Sequence, residues 1–376
     1  MTHILSVMGS VSGKTNGSAD NSRNITMSGG YTRRAYHAGS WYSDDEYDLD
    51  KTLSRYLSEA AKDDDRQTNN QDLPSPSLRA IICPHAGFSY SGPTAAYAYN
   101  QLEHELSKTD SPIRHILVFH PSHRVYLDGC AISGAHTIET PLGDLPVDTE
   151  LRDEILNLVS RKKELGETRV SFSVLDRDVD EAEHSGEMQY PFIAKVQRNA
   201  TKRKGTPSMI PILPIMCGNI SNSKEYEYGS LLTEIIARKD VFSVVSTDFC
   251  HWGRQFSYQP IPSTCTPCST SGTLEIFEFI QNLDRQGMQH IEMKEPRAFA
   301  KYLKETKNTI CGRHAIQTWL NAVVHSESIG KKGGNDNGSG DPKPLKIEFN
   351  KYAQSSNVRS MGESSVSYAS GIATVQ

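Results

Sequence analysis

Three short apolar runs set the pattern of the chain. Residues 80–87 (AIICPHAG), 116–124 (ILVFHPSHR) and 244–253 (VVSTDFCHWG) each begin with aliphatic side chains and end abruptly in polar, chemistry-bearing ones. Runs with no polar alternation, rich in Val and Ile, predict strands buried on both faces, as in a parallel sheet. In open α/β sheets ligands bind beyond the carboxyl ends of such strands. The histidines and the aspartate that close the runs are therefore expected along one edge, around a polar pocket suited to a metal.

Helical spacing recurs between the runs. Leu49, Leu53, Tyr56 and Leu57 fall on one face behind an N-cap region at Ser43. Gly92-Pro93 suits the start of a helix running to Leu106. Residues 148–160, 224–239, 274–283 and 296–303 fit further helices, and Ala315, Ile316, Trp319, Leu320 and Val323 mark another. Residues 209–216 (MIPILPIM) read as a strand that Pro211 and Pro214 demote to an edge or a bulge, and 138–147 as an irregular segment. Two β-like stretches close the chain at 345–360 and 364–375. Strands alternating with helices predict one α/β domain over residues 31–376, a central, largely parallel or mixed sheet flanked by helices. Residues 1–30 are expected to be a disordered tail, and the polar stretches near 62–78, 196–208, 259–272 and 327–344 to be flexible loop insertions.

Composition narrows the partners. The 376 residues carry a mild net charge of −5 with both signs interspersed, which points away from nucleic acid. No apolar run approaches a bilayer span, so no membrane insertion is expected. Seven cysteines, odd in number and unevenly spaced, fit a reducing compartment, and the expectation is a cytoplasmic protein, with the nucleus as a further location. The lone Cys265/Cys268 pair supplies half a zinc site and reads as surface loop.

The candidate chemistry pools His85, His123, Asp248, His251 and Cys311, with His184, Glu187 and His120 in reserve. Cys311 precedes a helix, where free amides lower a thiol's pKa; a ligating thiolate and an inert buried thiol both fit. His184 and Glu187 stand three apart, as a ligand or acid/base pair on one helix face or as an acidic helix start. Imidazoles with one carboxylate or thiolate suit an open iron or copper site better than a closed zinc site. From the residues alone, a metal centre and a His-based hydrolytic site stand side by side.

Seven blocks, HAGSWY (37–42), PHAGFSYSG (84–92), PSHRV (121–125), EHSGEMQYPF (183–192), TDFCHWG (247–253), TICGRH (309–314) and YAQSSN with SSVSYASG near the end, closely resemble the Memo family, in order over residues 31–376. The resemblance implies a fold similar to class III extradiol dioxygenases. It implies one iron or copper ion held by His85, His123 and Cys311, with Asp248 and His251 completing the pocket as catalytic residues. It also implies a redox role tied to reactive-oxygen signalling, and recruitment to phosphorylated receptor tails in animals. A phosphotyrosine- or anion-binding adaptor using the same pocket is the second expectation and a ring-cleaving dioxygenase the third. Two departures stand beside the pocket: His120, where the family usually has Gly, and Arg124, where animal members have a second His.

Overall fold

Strands form where Val and Ile pack on both faces, and helices form where apolar positions recur every three or four residues. The computed structural model describes residues 30–67, 77–205, 209–261, 274–332 and 343–376, and Tyr31–Gln376 gathers into one compact unit. Along the chain come β1 (Tyr31–Arg33), α1 (Glu46–Gln67), β2 (Leu78–Cys83), α2 (Phe88–Ser107), β3 (His115–Pro121), β4 (Cys130–Ser133), β5 (Ala135–Ile138) and β6 (Leu145–Pro146). Then follow α3 (Thr149–Glu164), β7 (Phe172–Leu175), α4 (Arg177–Ala182), α5 (His184–Glu187), α6 (Tyr190–Lys204), β8 (Ile212–Cys217), α7 (Asn222–Ala237), β9 (Val241–Ser246) and β10 (His251–Trp252). The chain closes with α8 (Ile276–Glu292), α9 (Pro296–Thr306), α10 (Arg313–Lys332), β11 (Leu345–Gln354) and β12 (Ser365–Val375). Residues 1–29, the Cys265/Cys268 pair and part of each expected loop lie outside the described residues.

The main sheet has the order β10-β12-β2-β9-β3-β8-β4-β7, with β11 on β12. Its centre, β2-β9-β3-β8, is parallel, while β12 runs antiparallel to β2 and β4 antiparallel to β8. This is the α/β class expected: a mixed sheet with a parallel core. Every residue of β8 and β9 is buried, as their unbroken apolar runs require. Cys83 lies opposite Ser246, and Phe119 opposite Val245, so β2, β9 and β3 end side by side.

Several expectations are corrected. β8 is an interior strand despite its prolines, because its ladder with β4 stops at Ile215 and leaves Pro214 outside it. The stretch read as irregular holds the end of β5 and all of β6, which join β1 in a second, three-stranded sheet. α2 starts at Phe88, ahead of Pro93. Three stretches read as loops begin as helix: α1 runs to Gln67, α6 to Lys204 and α10 to Lys332. Charged side chains are good helix formers, so polarity does not mark a helix end. α6 stops where Gly205 adopts a φ of 68°, which glycine takes at little cost.

β1 carries one cation into the interior. Arg33 is buried; Nη1 donates to Glu187 Oε2 at 2.7 Å and Nε to Asp180 Oδ1 at 3.2 Å, while Nη2 donates to the carbonyls of Asp180 (2.9 Å) and Glu183 (2.8 Å). A buried guanidinium persists only when its donors are used in this way. Arg33→Ala strands two carboxylates in the interior and is expected to lower the unfolding free energy by about 3–5 kcal/mol. Urea denaturation checks this, and an unchanged midpoint would show the network to be dispensable.

Candidate metal centre

Three loops and one helix start meet at the carboxyl edge of the parallel core. β2 leads into Pro84-His85, β3 into His123, β9 into Asp248, and the turn before α10 brings in Cys311. That turn lies against the end of β9: a Cβ on Gly312 would come within 2.4 Å of Thr247 Cβ and 2.5 Å of the Ser246 carbonyl oxygen. Only glycine lets the thiol approach this closely.

The hydrogen bonds fix which nitrogen of each imidazole is free. Ser246 Oγ donates to the Ser185 carbonyl at 2.7 Å and accepts from Gln189 Nε2 at 2.9 Å. Its contact with His85 Nδ1 at 2.8 Å must therefore be an N–H donated by the ring, which leaves the lone pair on His85 Nε2. That nitrogen lies 3.2 Å from Cys311 Sγ. The sulfur also accepts from the Asp248 backbone N–H at 3.2 Å. His123 Nδ1 donates to Glu183 Oε1 at 2.9 Å, and its backbone N–H donates to Glu183 Oε2 at 2.6 Å. Both rings are thus held from behind with Nε2 as the ligand atom, the usual device for orienting metal-binding histidines.

Burial and charge set the protonation states. Burial pushes His85 well below the usual imidazole range, helped by the neighbouring His123 and His184 rings. Burial also pushes His123 down, but hydrogen bonds to Cys311 and Glu183 outweigh it and lift the ring to about 10. Burial pushes Glu183 up, yet the His123 hydrogen bond and charge hold it well below the usual carboxylate range.

Of the eight expected residues, six are brought together. Donor atoms of His85, His123 and His184 lie within 4.8 Å of one another, as do those of His85, Asp248 and Cys311. The two groups share His85, and Cys311 contributes to the raised pKa of His123. His184 stacks on His123 at 4.7 Å between ring centroids, and burial holds it at about 3, neutral. Asp248 Oδ1 accepts the His85 backbone N–H at 2.8 Å, and burial raises its carboxyl to about 7. His251 stands beside them, its Nδ1 donating to the carbonyls of Phe249 and Thr309 at 2.9 and 3.1 Å; burial lowers it to about 4.

Two reserve candidates lie elsewhere. Glu187 is committed to Arg33, to His37 Nδ1 at 3.0 Å and to the Tyr42 hydroxyl at 2.8 Å, so it anchors the N-terminal segment. His120 is buried, with Nδ1 3.1 Å from both the Pro121 carbonyl and Ser185 Oγ, and belongs to neither metal group. Arg124 is exposed, and its charge helps to hold His184 neutral.

Glu183 and Ser246, which orient the two imidazoles, were not among the candidates. Glu183 is adjacent to His184 and is one of five acidic residues in 176–183, where nothing local singles it out. Ser246 is a small polar interruption at the end of β9, a position that could have drawn attention. The Trp41 ring lies 4.5 Å from His184 and forms a wall of the centre.

The family described as Memo-like protein matches residues 33–372. The chain belongs to the Memo family. Among its relatives, the Caenorhabditis elegans protein named memo-1 homolog is 38% identical over 344 residues, 92% of this chain and 83% of that protein. The Danio rerio Protein MEMO1 is 38% identical over 339 residues, covering 90% and 96% of the two chains. The human Protein MEMO1 is 37% identical over 343 residues, covering 91% and 97%. A solved structure of an uncharacterized protein from Escherichia coli K12 is similar at a TM-score of 0.43 and 13% identity, covering 78% of this chain and 99% of that one. Among the described residues no helix is long and apolar enough to cross a membrane.

In this Memo-family centre the Glu183 carboxylate fixes the His123 ring. Glu183→Gln is expected to weaken metal binding about 10- to 100-fold and to lower the His123 pKa. Chelator competition and histidine NMR titration measure the two effects. Undiminished affinity would show that the ring is oriented without Glu183.

Proposed function

We propose that this Memo-family protein binds one redox-active metal ion, iron or copper, through His85, His123 and Cys311. We propose further that it acts in metal or reactive-oxygen homeostasis, signalling to cell growth or motility. One observation carries the reading: the lone pair of His85 Nε2 and the sulfur of Cys311 lie 3.2 Å apart beside the ring of His123. Both histidines are anchored through Nδ1, His85 by Ser246 and His123 by Glu183. The donor chemistry fits: two imidazoles and a soft thiolate suit iron or copper, and no fourth protein ligand is needed. Bound there, the ion would supply one-electron chemistry at an open position.

The surrounding residues manage protons and access. Asp248, with a carboxyl near 7, can hold or release a proton at neutral pH, and it sits behind His85. His251 keeps its Nδ1 proton on two carbonyls, leaving Nε2 as a basic nitrogen. His123 is exposed and Cys311 half-buried, so the centre opens to solution on their side. A ring-cleaving dioxygenase draws support from one feature, the grouping of the Asp248 carboxylate with His85 and Cys311. Oxygen uptake with catechols tests it. The anion-binding reading of the pocket finds little support: its buried imidazoles are held neutral, and the one raised ring is paired with Glu183.

Protein purified without chelator is expected to carry about one iron or copper per chain, lost in Cys311→Ser. A wild-type protein that stays empty after anaerobic loading with either metal would overturn the proposal. Because the metal must displace the His123 proton, affinity should rise about tenfold per pH unit below that group's pKa of about 10. Competition titrations at several pH values between slightly acid and slightly alkaline check the slope, and a flat profile would remove His123 from the ligand set.

A further inference from the structure

One carboxylate of α8 is buried without a cation. Ile276, Ile280, Leu283, Gly287 and Ile291 recur at helical spacing along the inner face of that helix, and Asp284 sits among them, fully buried. Its Oδ1 accepts from the Cys250 backbone N–H at 3.1 Å and from Asn308 Nδ2 at 2.9 Å, and its Oδ2 accepts from the Tyr352 hydroxyl at 2.9 Å. Among the described residues it has no ion-pair partner. Burial lifts the carboxyl to about 6 against the pull of these neutral donors, so it is ionised at neutral pH.

A buried charge without a counter-ion is expensive to keep. Asn308 adds a second cost: its Nδ2 also donates to the Tyr302 hydroxyl at 2.8 Å, and its Oδ1 is buried without a partner. Turning the amide over would set that oxygen against the carboxylate, so Asp284 dictates the orientation and the acceptor stays unpaired. Buried polar groups kept against such costs mark places where something besides stability is served. What the carboxylate joins is two pieces of the candidate metal centre. Cys250 lies between Asp248 and His251, and Asn308 lies three residues before Cys311. The two segments also meet directly: the Asp248 N–H reaches Cys311 Sγ at 3.2 Å, the Gly312 N–H reaches Thr247 Oγ1 at 3.2 Å, and the His251 N–H reaches Thr309 Oγ1 at 2.7 Å. All three bonds run from loop to loop, whereas Asp284 holds both segments on one oxygen of a core helix. β12 grips the same loop through its backbone, the Phe249 N–H donating to the Ser367 carbonyl at 2.8 Å and the Ser367 N–H to the Cys250 carbonyl at 2.9 Å. Ligands borne on loops need a rigid support of this kind to stay in register.

We propose that Asp284 is a positioning residue of the candidate metal centre. By accepting from Cys250 and Asn308 on one oxygen, it sets the spacing between the loop of Asp248 and His251 and the turn of Cys311, and so holds the sulfur beside His85. The proposal rests on the metal reading of His85, His123 and Cys311.

Cobalt(II) alone is the probe, because a thiolate-to-metal charge-transfer band reports whether Cys311 is a ligand and its titration gives the affinity. Asp284→Ala and Asn308→Ala are expected to bind cobalt about tenfold or more weakly and to lose much of the band. Asp284→Asn keeps Oδ1 for Cys250 and Asn308, while the Tyr352 hydroxyl can turn to Ser367 Oγ at 3.1 Å, so this variant should restore most of the affinity and the band. Tyr352→Phe removes only the bond on the β11 side and should leave both close to the wild type. Hydrogen exchange of the metal-free protein adds a readout that general loosening does not mimic. In Asn308→Ala the amides of Asp248, His251 and Gly312 should exchange about tenfold faster, while those of β2 and β3 keep their protection. Should Asp284→Ala fail to fold, Asn308→Ala against Tyr352→Phe decides. Unchanged affinity in Asn308→Ala, an equal loss in Tyr352→Phe, or faster exchange spread over the whole sheet overturns the proposal. A wild-type protein without the thiolate band overturns the metal reading and this proposal with it, whereas a wild-type band that survives in Asp284→Ala and Asn308→Ala overturns this proposal alone.

Discussion

A single buried guanidinium ties the N-terminal strand to the segment that builds half of the candidate metal centre. Arg33 reaches the carboxylates of Asp180 and Glu187 and the carbonyls of Asp180 and Glu183. Each of these lies in the stretch from α4 to α5, too short in regular structure to hold its own shape. Desolvating three charges is costly, and only their mutual satisfaction makes the arrangement stable. Once it forms, Glu183 and His184 face His123, and Ser185 accepts the hydroxyl proton of Ser246 behind His85. The second small sheet, β1-β5-β6, exists to deliver this one side chain to its place.

The electrostatics of the centre follow from burial at a strand edge. Desolvation holds His85, His184 and His251 neutral, which is the state a metal ligand or proton acceptor requires. Against that background the Glu183–His123 pair is the exception, an ion pair partly open to solution that must give up its proton to bind a metal. The same desolvation keeps the Asp248 carboxyl near neutrality. A site of this kind favours cations over anions. On α9, Phe299 and Tyr302 anchor one face of the helix and leave its charged face to solvent.

The turn 308–314 borders two regions. Thr309 accepts the His251 backbone N–H through its hydroxyl and the ring N–H through its carbonyl, and it also lines an open cleft beside α9 and α10. Cys311 points to the centre, whereas Arg313 and His314 line the other side. A short turn between a buried strand end and a helix start thereby faces the His/Cys/Asp cluster on one side and the cleft on the other.

The chain by itself determined the parallel core and the residues at its carboxyl edge. The runs at β2, β3 and β9 carry no polar alternation, and that pattern has one economical solution, burial on both faces. His85, His123, Asp248 and His251 could therefore be placed at one edge from the order of residues alone, and the Cys311 block by resemblance. Helix ends were not legible, since the charged residues that close α1, α6 and α10 favour helix as readily as loop. Nor was the interior place of β8, which depends on where its partner β4 stops. Only the tertiary structure decided the roles of Arg33, Glu183 and Glu187, acidic and basic residues whose local sequence reads as ordinary surface. Their function comes from which opposite charge or donor they meet once water is excluded, and those partners lie 60 to 154 positions away in the chain.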